Sequence, residues 1–382
     1  MDILFIILYI ITIGLCLSTY AFYPIIIWLI GKVAPLKVHK HEFVPTVSII
    51  IPAYNEAKNI LKKIHNTLEL DYPNKKLEIL IGSDGSKDET VELAKQIMDK
   101  RVRVFDFKEN RGKTAVQNDL VREAKGEVLI FTDAASFLPL EAITKMVQNF
   151  ADERVGCVAG RLRFIETDAT LTTESQGLYW RYEIKIRGLE SRIGRLIGVD
   201  GPLYAVRRDC YIPLENNIIS DLISPLLVLK QGKKVILEPK ALVDEAPTVR
   251  TGQEFKTRRR ITLRGLVGIA AYIDLMNPLS HPLLAFQIFF HKVLRWIIGP
   301  VVIINGLACL ALTERWFFKV YIAHYVLFFV AAAIGGILER FGIKISLLTI
   351  PYYFTLVNFA ATAGVLDFLR KKQVISWTPV RK

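Results

Sequence analysis

The chain has 382 residues, of which 52% are hydrophobic and 23% are charged, and 50 Lys and Arg against 37 Asp and Glu give it a formal net charge of +13. This length allows about two or three domains with a sizeable core, which excludes a small disulfide scaffold and a disordered chain. So hydrophobic a composition is unusual for a soluble protein that is also this basic. The apolar and the basic residues prove to occupy different parts of the chain.

Four long segments contain no Asp, Glu, Lys or Arg: Ile3–Gly31, Trp296–Thr313, Val320–Leu338 and Ile345–Leu366. Each approaches or exceeds the ~18–20 apolar residues that cross a bilayer. The first is too long for a cleaved signal peptide and lacks a basic leader. We therefore expect a transmembrane helix at 1–31 and about three apolar spans at 296–368, with a re-entrant or interfacial run as the alternative for one of them.

Basic residues beside the apolar segments predict the orientation of the chain. Lys32, Lys37 and Lys40 follow the first segment, an arginine-rich stretch precedes the later ones, and a basic tail occupies 369–382. The positive-inside rule then predicts a cytoplasmic domain at 44–265 in a multi-pass membrane protein. Three full C-terminal spans would place the tail outside, which the same rule disfavours. Segment 278–295, with Lys292 and Arg295 among aromatic and aliphatic residues, predicts an amphipathic helix at the membrane surface.

The middle of the chain alternates two patterns. β-Branched runs predict buried strands at 46–52, 77–82, 101–107 and 127–132, and helical patterns fill 56–70, 88–100 and 114–124. Ser86 and Glu89 have the spacing of a capping box, which predicts where the second helix begins. This alternation predicts an α/β domain with a mostly parallel sheet and helices on both faces.

Ligands bind beyond the carboxyl ends of the strands in such a sheet, so the residues that follow each strand matter most. These are Ala53–Glu56, Ser83–Ser86 and Asp133–Ser136. The chain has neither G-x-G-x-x-G nor G-x-x-x-x-G-K-[ST], so dinucleotide binding and P-loop hydrolysis lose their main support. Taken alone, Asp84 fits a turn residue and Asp133 a capping carboxylate as well as either fits a site.

Seven motifs in order carry a family resemblance. They are Ile51–Glu56, Ser83–Thr90, Asn110–Lys113, Phe131–Ala134, Gly201–Arg208, Ser220–Pro225 and Arg258–Gly265. In order and spacing this set resembles the inverting family-two glycosyltransferases of the GT-A fold, and the flanking apolar segments resemble those of membrane-bound polysaccharide synthases. The resemblance implies a nucleotide-sugar-binding domain flanked by transmembrane helices, expected in the bacterial inner membrane. It also implies transfer of a hexosyl or N-acetylhexosaminyl group from a nucleotide-diphosphate donor, expected to be a UDP-sugar, to a glycan acceptor in cell-surface polysaccharide synthesis.

The resemblance implies roles for the donor-binding residues. Ala53, Glu56 and Asp84 would surround the uracil and ribose, and Lys113 would approach the nucleotide. Asp133 would hold a Mg²⁺ or Mn²⁺ ion that bridges the diphosphate, because these ions prefer hard oxygen ligands. The family usually has Asp-x-Asp here, whereas this chain has Ala135 in place of the second ligand. Recruitment of Ser136, a water ligand and weak metal dependence all remain open.

The resemblance also implies the catalytic base. Inversion requires a base that takes the acceptor hydroxyl proton, and in the family it is the second residue of an acidic pair. That pair is Ser220–Asp221 here, which assigns the role to Asp221. The alternative is that Asp221 only caps the following helix.

Arg258, Arg260 and Arg264 would stabilise the departing diphosphate, because guanidinium groups bind phosphate oxygens in pairs. The matching synthase motif is Gln-x-x-Arg-Trp, and aligning its arginine with Arg260 leaves Thr257 and Ile261 in place of Gln and Trp. The tryptophan of that motif stacks on the acceptor sugar in the family, so its replacement by Ile261 removes a contact by which the acceptor is recognised. The alternative for these arginines is binding to anionic lipid headgroups.

Weaker candidates lie on the acceptor side. Asp200, Tyr204 and Arg207 belong to the motif that shapes it in the family. The aromatic group at Tyr179, Trp180 and Tyr182 has helical spacing, which favours core or membrane-facing positions over sugar stacking.

Two other functions are compatible with these residues. Within the same chemistry, the protein would transfer a single sugar to a lipid carrier or glycolipid. In another class, it would be a membrane scaffold that binds a nucleotide sugar without catalysis. A transporter is disfavoured, because His324 is the only ionisable residue within the charge-free segments apart from Tyr and Cys. Nucleic acid is rejected as a partner, because the basic residues cluster beside apolar segments. The sequence identifies no export or synthase partner protein.

Overall fold

The computed structural model describes residues 2–165, 171–246, 251–343 and 345–372, with the side chains of 171–178 and 251 outside that description. Within these residues, a seven-stranded α/β domain lies between an N-terminal helical segment and three C-terminal ones. Of the basic tail expected at 369–382, residues 373–382 lie outside the described part of the chain.

Seven strands form one mixed sheet in the order β3-β2-β1-β4-β6-β5-β7. They are β1 Val47–Ala53, β2 Leu77–Asp84, β3 Val102–Phe107, β4 Val128–Thr132, β5 Val155–Phe164, β6 Leu203–Arg207 and β7 Lys234–Glu245. β1 runs parallel to β2 and β4, β2 to β3, and β5 to β7, whereas β6 is antiparallel to both of its neighbours. The prediction of a mostly parallel sheet is confirmed.

The α-helices of the described residues surround this sheet and extend from it. They are α1 Asp2–Leu17, α2 Tyr23–Val33, α3 Ile60–Leu68, α4 Thr90–Lys95, α5 Lys113–Glu123, α6 Ala142–Val147, α7 Leu171–Arg192, α8 Ser220–Lys230, α9 Thr251–Ala271, α10 Pro282–Gln287, α11 Leu294–Leu310, α12 Trp316–Arg340 and α13 Thr349–Leu369. The four predicted strands correspond to β1–β4, and the three predicted helices to α3, α4 and α5.

The predicted capping box is wrong. Helix α4 is shorter than expected and begins at Thr90, and no side-chain capping bond is made from its N-cap residue, Glu89. The Asp88 carboxylate instead accepts the Thr90 N–H at 3.1 Å. The Ser86 hydroxyl accepts the Asn55 N–H at 3.1 Å, so it ties the loop after β2 to the loop after β1.

The core lies on both faces of the sheet, because successive side chains of a strand point to opposite faces. Ile49 and Ile51 pack in the cluster that contains α3 and α6, and Ile50 packs in the cluster that contains α5 and α8. All three isoleucines are fully buried. Burial on both faces explains why β1 reads as a continuous apolar run rather than an alternating one.

Four helical segments are long and apolar enough to cross a membrane: Asp2–Val33, Pro282–Leu310, Trp316–Arg340 and Ser346–Leu369. They correspond to the four charge-free segments. The helix expected at the membrane surface over 278–295 continues without a break into α11, and its Gln287 and His291 side chains are buried. Its location at a membrane surface stays a prediction, as do the domain boundaries and the side of the membrane on which the sheet lies.

Polar contacts join these segments to one another and to the domain. Asn305 Nδ2 of α11 donates to Thr12 Oγ1 of α1 at 2.8 Å. In α9, Arg259 binds both oxygens of Asp367 in α13, with N···O distances of 2.5 and 2.9 Å. This two-point contact ties α9, which carries the arginine-rich motif, to the last helix.

Candidate functional site

A cavity of about 850 Å³ lies between the sheet, α7, α9 and the helical segments of the N and C termini. Asp133 and Asp221 line it on the sheet side, and Arg260 lines it from α9. Asp133 follows β4 directly, and Asp221 lies in the first turn of α8. Motifs that are far apart in sequence therefore meet in one cavity, as the resemblance implies.

Gly201 marks the point where three of the predicted side chains converge. A Cβ atom placed on Gly201 would lie 3.1 Å from Asp221 Oδ2, 3.2 Å from Lys113 Nζ and 4.0 Å from Asp133 Oδ2. Lys113 Nζ also forms an ion pair with Asp133 Oδ1. The glycine leaves the space between these groups open to a ligand.

A proline in α8 determines how Asp221 is held. Pro225 lies inside the helix and has no N–H, so the Asp221 carbonyl four residues earlier lacks its helical donor. Val199 supplies the missing hydrogen bond, with its N–H 2.9 Å from the Asp221 carbonyl. This contact ties α8 to the loop before β6, which also contains Gly201. The spacing Asp-x-x-x-Pro in the sequence already indicates that the Asp221 carbonyl needs a donor from outside its own helix.

The Asp221 carboxylate is available for chemistry. The helix N-cap position belongs to Ile219, so the alternative that Asp221 serves as the cap is wrong. Its side chain makes no hydrogen bond to any residue in the described ranges. Burial raises its pKa, while the nearby charges of Lys113 and Arg264 oppose that rise and Asp133 reinforces it. A carboxylate with a raised pKa is a stronger base.

The predicted arginine cluster divides into two groups. Arg258 forms an ion pair with Glu254 at 2.8 Å and donates to Tyr353 Oη at 3.1 Å, so it lies in the cavity wall with its donors engaged. Arg260 has no hydrogen bond or ion pair with any described residue. Burial lowers the Arg260 pKa, and the charges of Asp221 and Asp133 raise it.

Arg264 anchors the site from one helical turn further along α9. Its Nη2 donates to the Ile218 carbonyl at 3.0 Å, just before α8 begins. Burial lowers the Arg264 pKa, and the Asp221 carboxylate opposes the shift. Arg264 therefore combines a structural contact with a position near the candidate base.

The predicted nucleotide-binding residues are only partly brought together. Glu56 lines the cavity, whereas Ala53 and Asp84 do not. Asp84 accepts the Arg111 N–H at 2.8 Å and the Gly112 N–H at 2.9 Å, one on each carboxylate oxygen. It thereby shapes the loop that leads to Lys113. Direct contacts of Ala53, Glu56 and Asp84 with a nucleotide stay predictions.

Asp133 fits a divalent ion only in part. No group of three or more His, Cys, Asp or Glu side chains suitable for a metal occurs in the described residues. Ser136, one of the alternatives for the second ligand, is fully buried and does not line the cavity. Mg²⁺ in nucleotide sites commonly uses one or two carboxylates together with phosphate oxygens and waters. The donor set therefore fits an ion that binds together with a diphosphate rather than a preformed all-protein site.

Sequence reasoning missed Lys63. This lysine of α3 is fully buried, and its Nζ donates to Thr132 Oγ1 at 2.9 Å and to the Ser136 carbonyl at 2.5 Å. It holds the segment that carries Asp133 from behind. Burial lowers its pKa to about 7, against the opposing charge of Asp133. Nothing in the sequence distinguishes Lys63 from the solvent-exposed lysines of an amphipathic helix.

The weaker acceptor-side candidates occupy three different places. Asp200 lines the cavity and pairs with the buried Arg187 at 2.5 Å. Tyr204 is fully buried and stacks on Phe131, with ring centroids 4.6 Å apart. Arg207 donates to the Phe150 carbonyl at 2.7 Å. Of these candidates, only Asp200 reaches the cavity.

The aromatic residues of α7 meet the expectation of core positions only in part, since Trp180 packs against the core and also lines the cavity. Tyr179 and Trp180 line the cavity, and Tyr182 packs against the cluster around Tyr23 of α2. Trp296 of α11 also lines the cavity and was missed, because the sequence places it at the start of an apolar span. A helical pattern shows which residues share a face, but not what that face meets.

The family profile described as Glycosyl transferase family 2 matches residues 48–211. This part of the chain is therefore similar to family 2 glycosyltransferase domains. The chain is 28% identical over 143 residues to glycosyltransferase AglE of Haloferax volcanii, a match that covers 37% of this chain and 47% of that protein. It is 34% identical over 119 residues to poly-beta-1,6-N-acetyl-D-glucosamine synthase of Staphylococcus aureus, covering 31% of this chain and 28% of that protein. The chain thus spans less than half the length of these curated relatives.

Among solved structures, the mannosyltransferase PcManGT from Pyrobaculum calidifontis, in complex with GDP-Man and Mn²⁺, superposes with a TM-score of 0.73. The match covers 96% of this chain and 99% of that one at 22% identity. The fold therefore extends beyond the family 2 domain to include the flanking helices. The GT-A fold with apolar helices on both sides is confirmed.

Proposed function

We propose that this protein is a membrane-bound inverting glycosyltransferase. It transfers a sugar from a nucleotide-diphosphate donor, expected to be a UDP-sugar, to a glycan or lipid-linked acceptor in the synthesis of cell-surface polysaccharide, with its catalytic domain in the cytoplasm. The observation that carries this proposal is that the Asp221 carboxylate and the Arg260 guanidinium, neither of which is bonded to another described side chain, line one cavity together. The cavity adjoins the segment that matches family 2.

The reaction follows from these two groups. Asp221 takes the proton of the acceptor hydroxyl as its oxygen forms a bond to the anomeric carbon of the donor sugar. The bond from that carbon to the diphosphate breaks on the opposite face, which inverts the configuration. Arg260 faces the negative charge that develops on the departing diphosphate, and a guanidinium matches phosphate oxygens in two-point geometry.

Lys113 and Asp133 would meet the diphosphate from the sheet side. A bound Mg²⁺ or Mn²⁺ ion would be held by Asp133 and would neutralise diphosphate charge. The Lys113 ammonium lies in the same place and can bind a phosphate oxygen directly.

The test uses the full chain purified in detergent and a panel of nucleotide sugars, with a glycan or glycolipid acceptor present and with or without Mg²⁺ or Mn²⁺. We expect release of a nucleoside diphosphate from one of the donors and a drop of about 10²–10⁴-fold in Asp221→Asn. If no donor is consumed under any of these conditions, the non-catalytic scaffold is the correct interpretation. Undiminished turnover in Asp221→Asn would refute the assignment of the base.

Neighbouring arginines of α9 provide a matched pair of variants. Arg260→Ala removes the unpaired guanidinium and should weaken donor turnover by at least about tenfold. Arg259→Ala removes an equal charge one residue away, but that side chain is bound to Asp367. We expect Arg259→Ala to lower the thermal stability with little effect on donor turnover.

A further inference from the structure

The cavity that contains Asp221 extends to the candidate membrane helices. Tyr20, in the π-helical segment that joins α1 to α2, lines it, as do Arg295 and Trp296 of α11 and Asn358 and Ala361 of α13. Three of the four segments that are apolar and long enough to cross a membrane therefore contribute to its wall. If these segments cross the membrane, as proposed, this part of the wall stands beside the lipid, where an acceptor anchored in the bilayer would be held.

An indole occupies the wall beside the position where the family motif would place its tryptophan. Ile261 stands at that position, and Gly265 follows it by one helical turn on the same face of α9. The six-membered ring of Trp296 packs against this glycine, so that a Cβ atom placed there would be 2.5 Å from Trp296 Cη2. Because Gly265 has no side chain, the indole of Trp296 in α11 can reach the cavity wall beside Ile261, where α9 itself has no tryptophan.

Polar groups of fixed geometry surround these aromatic rings. Arg295 donates to Glu183 Oε2 at 2.8 Å and to Tyr179 Oη at 3.0 Å. Glu183 also contacts His291 Nε2 at 3.2 Å and lies 3.6 Å from Lys292 Nζ. Rings beside fixed donors and acceptors suit a sugar, whose faces are apolar and whose edges carry hydroxyl groups.

The charge of this region selects among headgroups. Arg295 is already paired with Glu183, Arg258 with Glu254, and Arg187 with Asp200. A bare phosphate would have to compete with these carboxylates, whereas neutral hydroxyl groups can bond to the remaining donors and acceptors. The region therefore favours a hydroxyl-rich headgroup over a lipid phosphate.

We propose that the part of the cavity lined by Tyr179, Trp180, Arg295 and Trp296 binds the sugar headgroup of a glycolipid, which is the acceptor. This inference rests on the proposed function and narrows its acceptor. A hydroxyl of the headgroup gives its proton to Asp221, and its oxygen forms the new bond to the anomeric carbon. The electron pair of the broken bond leaves with the nucleoside diphosphate.

The test offers the full chain, with its labelled donor, three acceptors in parallel. One arm contains phosphatidylglycerol vesicles with monoglucosyl diacylglycerol, one contains the same vesicles with polyprenyl phosphate, and one contains soluble cellotetraose. We expect organic-extractable label in the glucosyl lipid arm, at a rate at least about tenfold above the other two. Label confined to the polyprenyl phosphate or to water-soluble products would overturn the inference. Absence of nucleotide release in every arm would instead refute the proposed function.

Two variants test the location of the headgroup. Trp296→Ala should raise the KM for the glycolipid by about tenfold or more, and Trp316→Ala, at an exposed tryptophan of α12, is the matched control. Because Trp296→Ala also loosens the contact with Gly265, Tyr179→Phe provides a milder change that removes only the hydroxyl group bound by Arg295. We expect Tyr179→Phe to raise the glycolipid KM with kcat nearly kept. An unchanged KM in both variants would place the acceptor elsewhere.

Discussion

Lys113, the first residue of α5, forms an ion pair with Asp133, the first residue after β4. Gly112 precedes Lys113 with a φ of 94°, a left-handed backbone conformation that glycine adopts without strain. The Lys113 ammonium thus contacts Asp133, the carboxylate after β4 that is proposed to bind a divalent ion. If Asp133 holds a divalent ion, as proposed, lysine and metal compete for its carboxylate in the absence of a donor.

This competition predicts that Lys113→Met binds Mn²⁺ more tightly than the wild type when no nucleotide is present. We expect a gain of about tenfold, measured by calorimetric titration, together with weaker binding of the nucleotide sugar because the ammonium no longer meets the diphosphate. Lys108→Met is the control, since Lys108 is exposed and pairs with Asp106 instead. Equal Mn²⁺ affinity in Lys113→Met and wild type would show that the lysine does not block the ion.

The pH dependence of turnover should report the ionisation of Asp221. A base must be deprotonated, so kcat/KM falls as the pH drops through its pKa, and burial raises that pKa above the ordinary aspartate value of about 4. Lys113 is a cation that lowers the Asp221 pKa, so Lys113→Met should move the acid limb of the profile to higher pH. A shift to lower pH would contradict the assignment.

Gly201 should tolerate no side chain if its open space is where the substrates meet. In Gly201→Ala, the new methyl group would lie about 3 Å from both the Asp221 carboxylate and the Lys113 ammonium. We expect loss of most turnover with the thermal stability nearly kept. Gly198→Ala, three residues earlier, is the control, because its nearest contact would be an ordinary 3.6 Å to Lys292 Nζ. Equal turnover in the two variants would argue against a reaction centre at Gly201.

Lys63 should make stability depend on pH. Its pKa is about 7 in the folded protein and 10.5 ordinarily, so between these values the unfolded chain binds the additional proton. The free energy of unfolding should therefore rise with pH from about 7 to 10.5, by on the order of 5 kcal/mol more in the wild type than in Lys63→Met.

Denaturant titrations in detergent at several pH values measure this difference. Lys62→Met is the matched control, because Lys62 is exposed and its ammonium lies over the Phe137 ring at 4.4 Å from the centroid. A pH dependence in Lys63→Met equal to that of the wild type would show that Lys63 does not lose its proton in the folded state.

Local patterns were sufficient to predict the first half of the domain. β-Branched runs of six or seven residues between helical patterns correspond to β1–β4. Because these four strands run in the same direction, the residues after them meet at one edge, which is why the segments after β1, β2 and β4 were expected to bind a ligand. Helix α4 was predicted too long because residues 96–100 continue the helical pattern in sequence but leave the helix in the structure.

The sequence by itself determined the fold class, the charge-free helical segments and the chemical types at the site, because periodicity, length and motif spacing are local properties. Only the tertiary structure decided which side chains remain available. Arg259 and Arg260 are adjacent and identical in chemistry, yet Asp367, 108 residues from Arg259, binds one and leaves the other facing the cavity. Likewise, Trp296 joins the cavity wall because Gly265 of another helix makes room for it. Partners so distant in sequence are set by packing, which no local pattern records.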